Sequence, residues 1–509
     1  MNNRFQESLR DINTFSVTWE LVPGRGAREE MQENVLKAAQ YAVAEGKVHA
    51  LTITDNPGGR PALTASSLGQ EILQLGIEPL VHFTCKDKNR NQIEAELYAL
   101  NRAGIRNLLV MTGDYPMEGF KGRPKPVFDL DPIHILELIE KMNQGLEVTT
   151  SQGMTRHQPA DFFAGSVVSP FKTLESELLG QYYKLKKKIN YHSRFIVTQL
   201  GFDARKFHEV LQYIRMLDPE IPVIGNVFIL NYGTGRMMNS NQLPGSVVTD
   251  KLLAELDQER KAADKGERAK LLRAAKMYAF MKGMGFAGVH IGGHNIKYEQ
   301  IKYIIDTGEE LSADWRQFIP EFDYPQPCGF YYFEPDPGTG LNTMIPVKRE
   351  ELNPELPVGA NSRLMRKMHH LFFTPGRNLF PLMSRLYEGK KDSRRYYLEH
   401  LAKIISNDCK DCGDCALLDL AYLCPMSQCP KNQRNGPCGG SNNGWCEIYP
   451  GEKKCMWVRA YAILKAYREE GILEEAYLPP VNWELYQTSA WYNYFTGRDH
   501  SGVNKKEKK

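Results

Sequence analysis

The chain has 509 residues, 42% hydrophobic and 25% charged, a composition that excludes wholesale disorder at a length too great for one ordinary hydrophobic core. Its 64 Lys and Arg against 61 Asp and Glu leave a net charge of +3, no basis for a nucleic-acid or membrane surface as main partner. The best uncharged run, 221–235, is broken by Asn226, Asn231 and three glycines, so no membrane span is expected, and the opening MNNRFQESLRD lacks an apolar signal core; a cytoplasmic protein is expected.

From residue 15 to about 308, short β-branched apolar runs alternate with amphipathic segments. The strand-like runs are 15–22 (FSVTWELV), 48–55 (VHALTITD), 78–85 (EPLVHFTC) and 105–114 (IRNLLVMTGD), then 162–169, 194–203, 221–230 and 286–293. Helical periodicity fills each interval, including one long segment over 249–283. Eight strands with eight crossovers predict a (βα)8 TIM barrel over residues 1–310, an open doubly wound sheet being the structural alternative. Functional groups should then collect at the C-terminal ends of the strands, where Glu20, Asp55, His82, Thr84, Asp114, Gln199, Asp203, Asn226 and His290 stand. A Pro- and Gly-rich connector with the aromatic run 330–333 follows over 311–360, expected to lie over the surface. Residues 361–509 are expected to form a smaller Cys-rich, mainly helical and irregular metal-binding domain, ending in a solvated tail, NKKEKK.

GMGFAG at 283–288 ends a helix and enters a strand, the reverse of a phosphate-cradling turn, and no GxxxxGK[ST] occurs. His290 and His294 read as polar lining of the barrel mouth in preference to a metal pair. Glu20 lies on an apolar strand, where burial predicts a raised pKa suited to a general acid; a structural carboxylate paired to Arg is the alternative. Within LKKKI, 185–189, a lysine could meet a ligand phosphate, although such a run is ordinarily a solvated face. Eight of ten cysteines fall within 47 residues: Cys409, Cys412, Cys415, Cys424, Cys429, Cys438, Cys446 and Cys455. Crowding of this kind without a secretory signal points to metal, not disulfides. Cys409, Cys412 and Cys415 have the C-x2-C-x2-C spacing that wraps a cubane, and Cys424 and Cys429 each precede Pro. One or two [4Fe-4S] clusters are expected, Zn2+ being the alternative; the division into sites stays open.

FSVTWELVPGRG, LTITD, VHFTC, MTGDYP and LKKKINYHSRFIVTQLGFD, in this order and spacing, resemble the methylenetetrahydrofolate reductase family over roughly residues 10–310. The resemblance implies a flavin barrel, here with FMN and FAD as the alternative, that reduces 5,10-methylenetetrahydrofolate to 5-methyltetrahydrofolate. It implies Glu20 as the acid for N10 and Asp114 as the group that meets the pterin and tunes the flavin. It further implies flavin contacts from Thr54, His82, Gly113 and Lys188, and folate contacts from Gln199 and Phe202. Thr112 stands where better-known members have Arg, and FFAGSVVSP lacks their Tyr and His. The Cys-rich region resembles the domain or subunit that accompanies this reductase in acetogens. In those systems it is associated with iron-sulfur clusters or zinc; if the cysteines hold clusters, these would feed the flavin from a ferredoxin or partner dehydrogenase, and NAD(P)H would be a poor direct reductant. A homo-oligomer is expected, and no nucleic-acid partner, since the Cys-rich stretch has no basic excess. The competing readings are the same reaction run oxidatively and an electron-transfer or scaffold subunit.

Overall fold

The computed structural model describes residues 3–349, 355–377, 379–387 and 393–502; the tail 504–509 lies outside the described residues. Strands β1 (Ser16–Leu21), β2 (Ala50–Ile53), β3 (Glu78–Thr84) and β4 (Asn107–Met111) precede a small hairpin, β5 (Glu147–Thr150) and β6 (Gly153–Arg156). They are followed by β7 (Phe163–Val168), β8 (Ile196–Thr198), β9 (Val223–Ile229) and β10 (Gly288–Gly293). The eight long-range strands pair in parallel in the closed order β1-β10-β9-β8-β7-β4-β3-β2. Closure excludes the open sheet, and all eight sequence-derived strands are present. The β5–β6 hairpin has no counterpart in the sequence reading, because its residues are almost all exposed and carry no apolar alternation. The expected helix over 249–283 is two helices, Asp250–Glu259 and Glu267–Met284, separated where Lys265 and Gly266 take positive φ.

Period-two alternation sorts the barrel interior into layers. Ala50, Leu80, Leu109, Phe163, Val197 and Ile224 form an apolar floor, closed from below by Phe5 and Leu9 of the helix Arg4–Arg10. Two residues further along β3 and β9, the same inward face carries His82 and Asn226. The floor is therefore dry and the layer above it polar.

After the barrel, the connector is pinned to the helix Ala204–Leu217. Lys206 Nζ donates to the Phe330 carbonyl, Tyr331 donates to Asp203, and the Tyr332 and Phe333 amides donate to Glu209. Strands β11 (Phe333–Asp336) and β12 (Leu341–Pro346) complete it. The Cys-rich segment folds back over the C-terminal face of the barrel. Its helix Met456–Lys465 lies on the barrel helix Glu175–Asn190, with Tyr461 and Lys465 both donating to buried Glu175. Leu420, Trp457 and Leu464 share one continuous hydrophobic core with the barrel's outer layer.

Candidate active site at the barrel mouth

One cavity above the floor is lined by Glu20, His82, Gly113, Asp114, Lys188 and Gln199 from the barrel. Lys431, Pro437, Cys438, Gly439, Gly440 and Glu447 from the Cys-rich segment line its other side. Neither half of the sequence contains this site alone.

Glu20, near the end of β1, faces His290 of the adjoining β10, with Oε2 and Nε2 3.4 Å apart. The other ring nitrogen of His290 lies 2.9 Å from Thr18 Oγ1, which orients the imidazole. Burial pushes the Glu20 carboxyl up, but the hydrogen bond and charge of His290 chiefly outweigh it and hold it below the ordinary range. This corrects the raised pKa expected from burial alone, and the partner is an imidazole, not an Arg. His294 is exposed and takes no part. His82 is pushed down to about 4, chiefly by burial, and so is neutral near pH 7. Among the described residues, Glu20, His82 and His290 are the one set of three or more His, Cys, Asp or Glu whose ligand atoms all lie within 4.8 Å of each other.

Gly113 follows β4 with φ +82, and a Cβ there would come 2.8 Å from Thr84 Cβ, so glycine is required on both grounds. Asp114 is exposed beside it, accepting from the Gly58 amide at 2.7 Å. Gln199 lies just beyond β8; its Oε1 accepts from the Leu200 amide at 2.9 Å. Of the lysine run, Lys186 pairs with Glu474 at 2.8 Å, while Lys188 lines the cavity and donates to the Val167 carbonyl. Burial brings Lys188 down to about 7. Thr54 is buried next to the site without lining it, and Phe202 is 2% exposed in the core outside it. Asp55 is tied to Thr84 and Lys88, and Asp203 caps the helix after β8; both lie away from the cavity.

Among the described residues, His82 Nε2, Thr54 Oγ1, Ser169 Oγ and Asn226 Oδ1 are buried without a hydrogen-bond partner. Three of these, on His82, Ser169 and Asn226, line the cavity, and unsatisfied polar atoms there are what a polar, ring-bearing cofactor such as a flavin would satisfy. Sequence reading missed the Cys-rich wall. Lys431 Nζ donates to the Gly113 carbonyl at 2.8 Å and pairs with Glu447, which accepts from Cys438 Sγ at 3.2 Å. Thr112, where Arg was the familiar residue, donates to Gln433 at 3.2 Å.

The eight cysteines form two quartets. Cys409, Cys412, Cys415 and Cys424 line one small cavity together with Lys403 and Arg434. Of the other four, Cys429 and Cys455 lie near each other and each lies near both Cys438 and Cys446. No three of these sulfurs all lie within 4.8 Å of one another among the described residues. Tetrahedral zinc, with Zn–S near 2.3 Å, would draw them to about 3.8 Å.

No helix among the described residues is long and apolar enough to cross a membrane. Known structures give distant likenesses. An uncharacterized protein from Clostridium thermocellum that binds two copies of 5-methyl-5,6,7,8-tetrahydrofolic acid is 13% identical, with 61% of this chain and 98% of that one covered at TM-score 0.43. Yersinia pestis dihydropteroate synthase is 9% identical over 59% and 95% at TM-score 0.33, and M. tuberculosis tryptophan synthase 13% over 61% and 97% at 0.32. Two family descriptions match: methylenetetrahydrofolate reductase over residues 4–306, and methylene-tetrahydrofolate reductase C terminal over 389–484.

Proposed function

Because the chain belongs to the methylenetetrahydrofolate reductase family, we propose that it reduces 5,10-methylenetetrahydrofolate to 5-methyltetrahydrofolate with a flavin held at the barrel mouth, FMN in preference to FAD. When bound, the flavin supplies the hydride. Lys188 meets the phosphate, and neutral His82 and Gly113 meet the rest of the cofactor. Gln199 and Asp114 hold the pterin, and Phe202, in the core outside the cavity, takes no direct part. Glu20 delivers the proton to N10 as the folate ring opens. Glu20 and its hydrogen-bond partner His290 both line the cavity, so the imidazole stands beside the acid where the proton is delivered.

The observation that carries this reading is that Glu20, His82, Asp114, Lys188, Gln199 and Cys438 line one cavity. Cys438 of the second quartet thus borders the space of the flavin, which favours electron entry through clusters over direct reduction by NAD(P)H. Each quartet is read as holding one [4Fe-4S] cluster, on the C-x2-C-x2-C spacing of Cys409, Cys412 and Cys415 and the count of eight thiols. The same observation disfavours the scaffold reading, which has no use for an acid at the cavity.

The test is a single turnover under anaerobic conditions, in which reduced flavoprotein is mixed with 5,10-methylenetetrahydrofolate and flavin reoxidation is followed. Glu20→Gln should keep its flavin spectrum and slow this step by about 100- to 10,000-fold. An unchanged rate would remove Glu20 from the mechanism.

A further inference from the structure

The helix Ser393–Asn407 is inside out. It buries Glu399, Lys403 and Asn407, spaced four residues apart, and exposes Leu398 (70%), Leu401 (55%) and Ile405 (79%) along the opposite stripe. The buried charges have partners: Lys403 Nζ donates to Glu399 at 2.6 Å, and Glu399 also accepts from Ser489 and the Trp491 amide. Lys403 in turn lines the cavity of the first cysteine quartet. The polar face is thus committed to that quartet, and an apolar face is left outside. Facing solvent alone, such a stripe marks an interaction surface.

Beside it runs an apolar groove of about 310 Å³ between this helix and Ala360–Met368, lined by Leu364, Met365, Met368 and Phe373. Cys415 borders both this groove and the quartet's cavity. Residues 360–410 carry 11 Lys and Arg against 4 Asp and Glu, in a chain that has 64 against 61 overall. A segment of net charge +7 therefore stands in a chain whose remainder is net negative. Arg363, Lys367, Arg385 and Lys410 from it are exposed.

We infer that this surface is the docking site of an acidic electron-carrier protein that feeds the quartet of Cys409, Cys412, Cys415 and Cys424. The inference rests on reading that quartet as a cluster site. Positive charge steers an acidic partner and the apolar stripe holds it, while Cys415 brings the acceptor to the interface. A second copy docked about a twofold axis would set +7 against +7, which like-charge repulsion opposes. Each encounter moves one electron: the carrier's reduced centre is oxidised by one and the cluster reduced by one, with no proton crossing the interface.

The test uses the anaerobically purified full-length protein, assayed first for iron and for bleaching by dithionite. Reduced two-cluster bacterial ferredoxin, an acidic carrier, is then mixed with it and bleaching is followed by stopped flow. The second-order rate should fall as salt is raised, and should drop tenfold or more in the Arg363→Glu, Lys367→Glu double variant. Leu401→Asp should lower it as well, while bleaching by dithionite stays unchanged in all three proteins. An equal ferredoxin rate in the charge-reversed protein overturns the docking surface and leaves the cluster reading intact. A homodimer that Leu401→Asp dissociates, seen by sedimentation velocity, gives the surface to a second copy and also overturns it. An iron-free protein removes the cluster reading and the docking inference together.

Discussion

Glu20 keeps its low pKa only while His290 faces it. Burial alone would raise the carboxyl, so removing the imidazole leaves desolvation in control. In His290→Asn the alkaline limb of the single-turnover pH profile should therefore move to higher pH, because Glu20 then holds its own proton longer. A limb that stays in place would show that His290 does not set the proton affinity of Glu20. Lys188 gives a prediction of the opposite kind. Free of ligand, burial holds it at about 7; against a phosphate dianion its ammonium form is favoured. Between those two values FMN binding takes up a proton, so affinity should fall by up to about tenfold per pH unit as pH rises above 7. Riboflavin, which lacks the phosphate, should show no such slope in the same titration. Equal slopes would move the phosphate away from Lys188.

At the scale of elements, the segment 431–440 acts as a wedge between the barrel strands and the second cysteine quartet. It is held by buried cations: Lys184 Nζ donates to Gln433 Oε1 and to the carbonyls of Gly436 and Pro437, and Lys172 Nζ to those of Gly439 and Ser441. Lys431 is the tie to β4, and its partner Glu447 is itself buried. Lys431→Met leaves a buried carboxylate unpaired and should cost about 3–5 kcal/mol in denaturant unfolding. Adding Glu447→Leu should recover most of that loss, since the orphaned charge disappears with it. If the double variant is as unstable as the single one, the ion pair is not what seats the wedge.

For the whole molecule, the folding back of the Cys-rich segment makes one wall of the reductase cavity out of a quartet's own cysteine, Cys438. The arrangement predicts about eight irons and eight acid-labile sulfides per chain, with little zinc, from anaerobically prepared protein. It also predicts slow flavin reduction by NADH alone and fast reduction by dithionite-reduced ferredoxin. Zinc without iron, together with rapid reduction by NADH, would make the quartets structural and return the reaction to a pyridine nucleotide.

The sequence by itself determined the eight strands in order, since buried parallel strands are continuous apolar runs whose pattern depends on local composition. It also singled out Glu20, His82, Asp114 and Gln199, because polar residues near the ends of such strands contrast with everything around them, whereas Lys188, on the helix Glu175–Asn190, was marked only by the family resemblance. The pairing of Glu20 with His290, 270 residues away, was decided only by closure of β1 on β10, and with it the direction of the Glu20 pKa. Tertiary structure likewise drew Asp55 and Asp203 away into local hydrogen bonds and left Phe202 in the core. It also divided the cysteines into two quartets and set one against the barrel mouth. Spacing along the chain fixes which thiols can meet around the first three cysteines, but the remaining partners are chosen by how the segment packs on the helix Glu175–Asn190. Packing of that kind depends on shape and on buried ion pairs between distant segments, neither of which has a local signature.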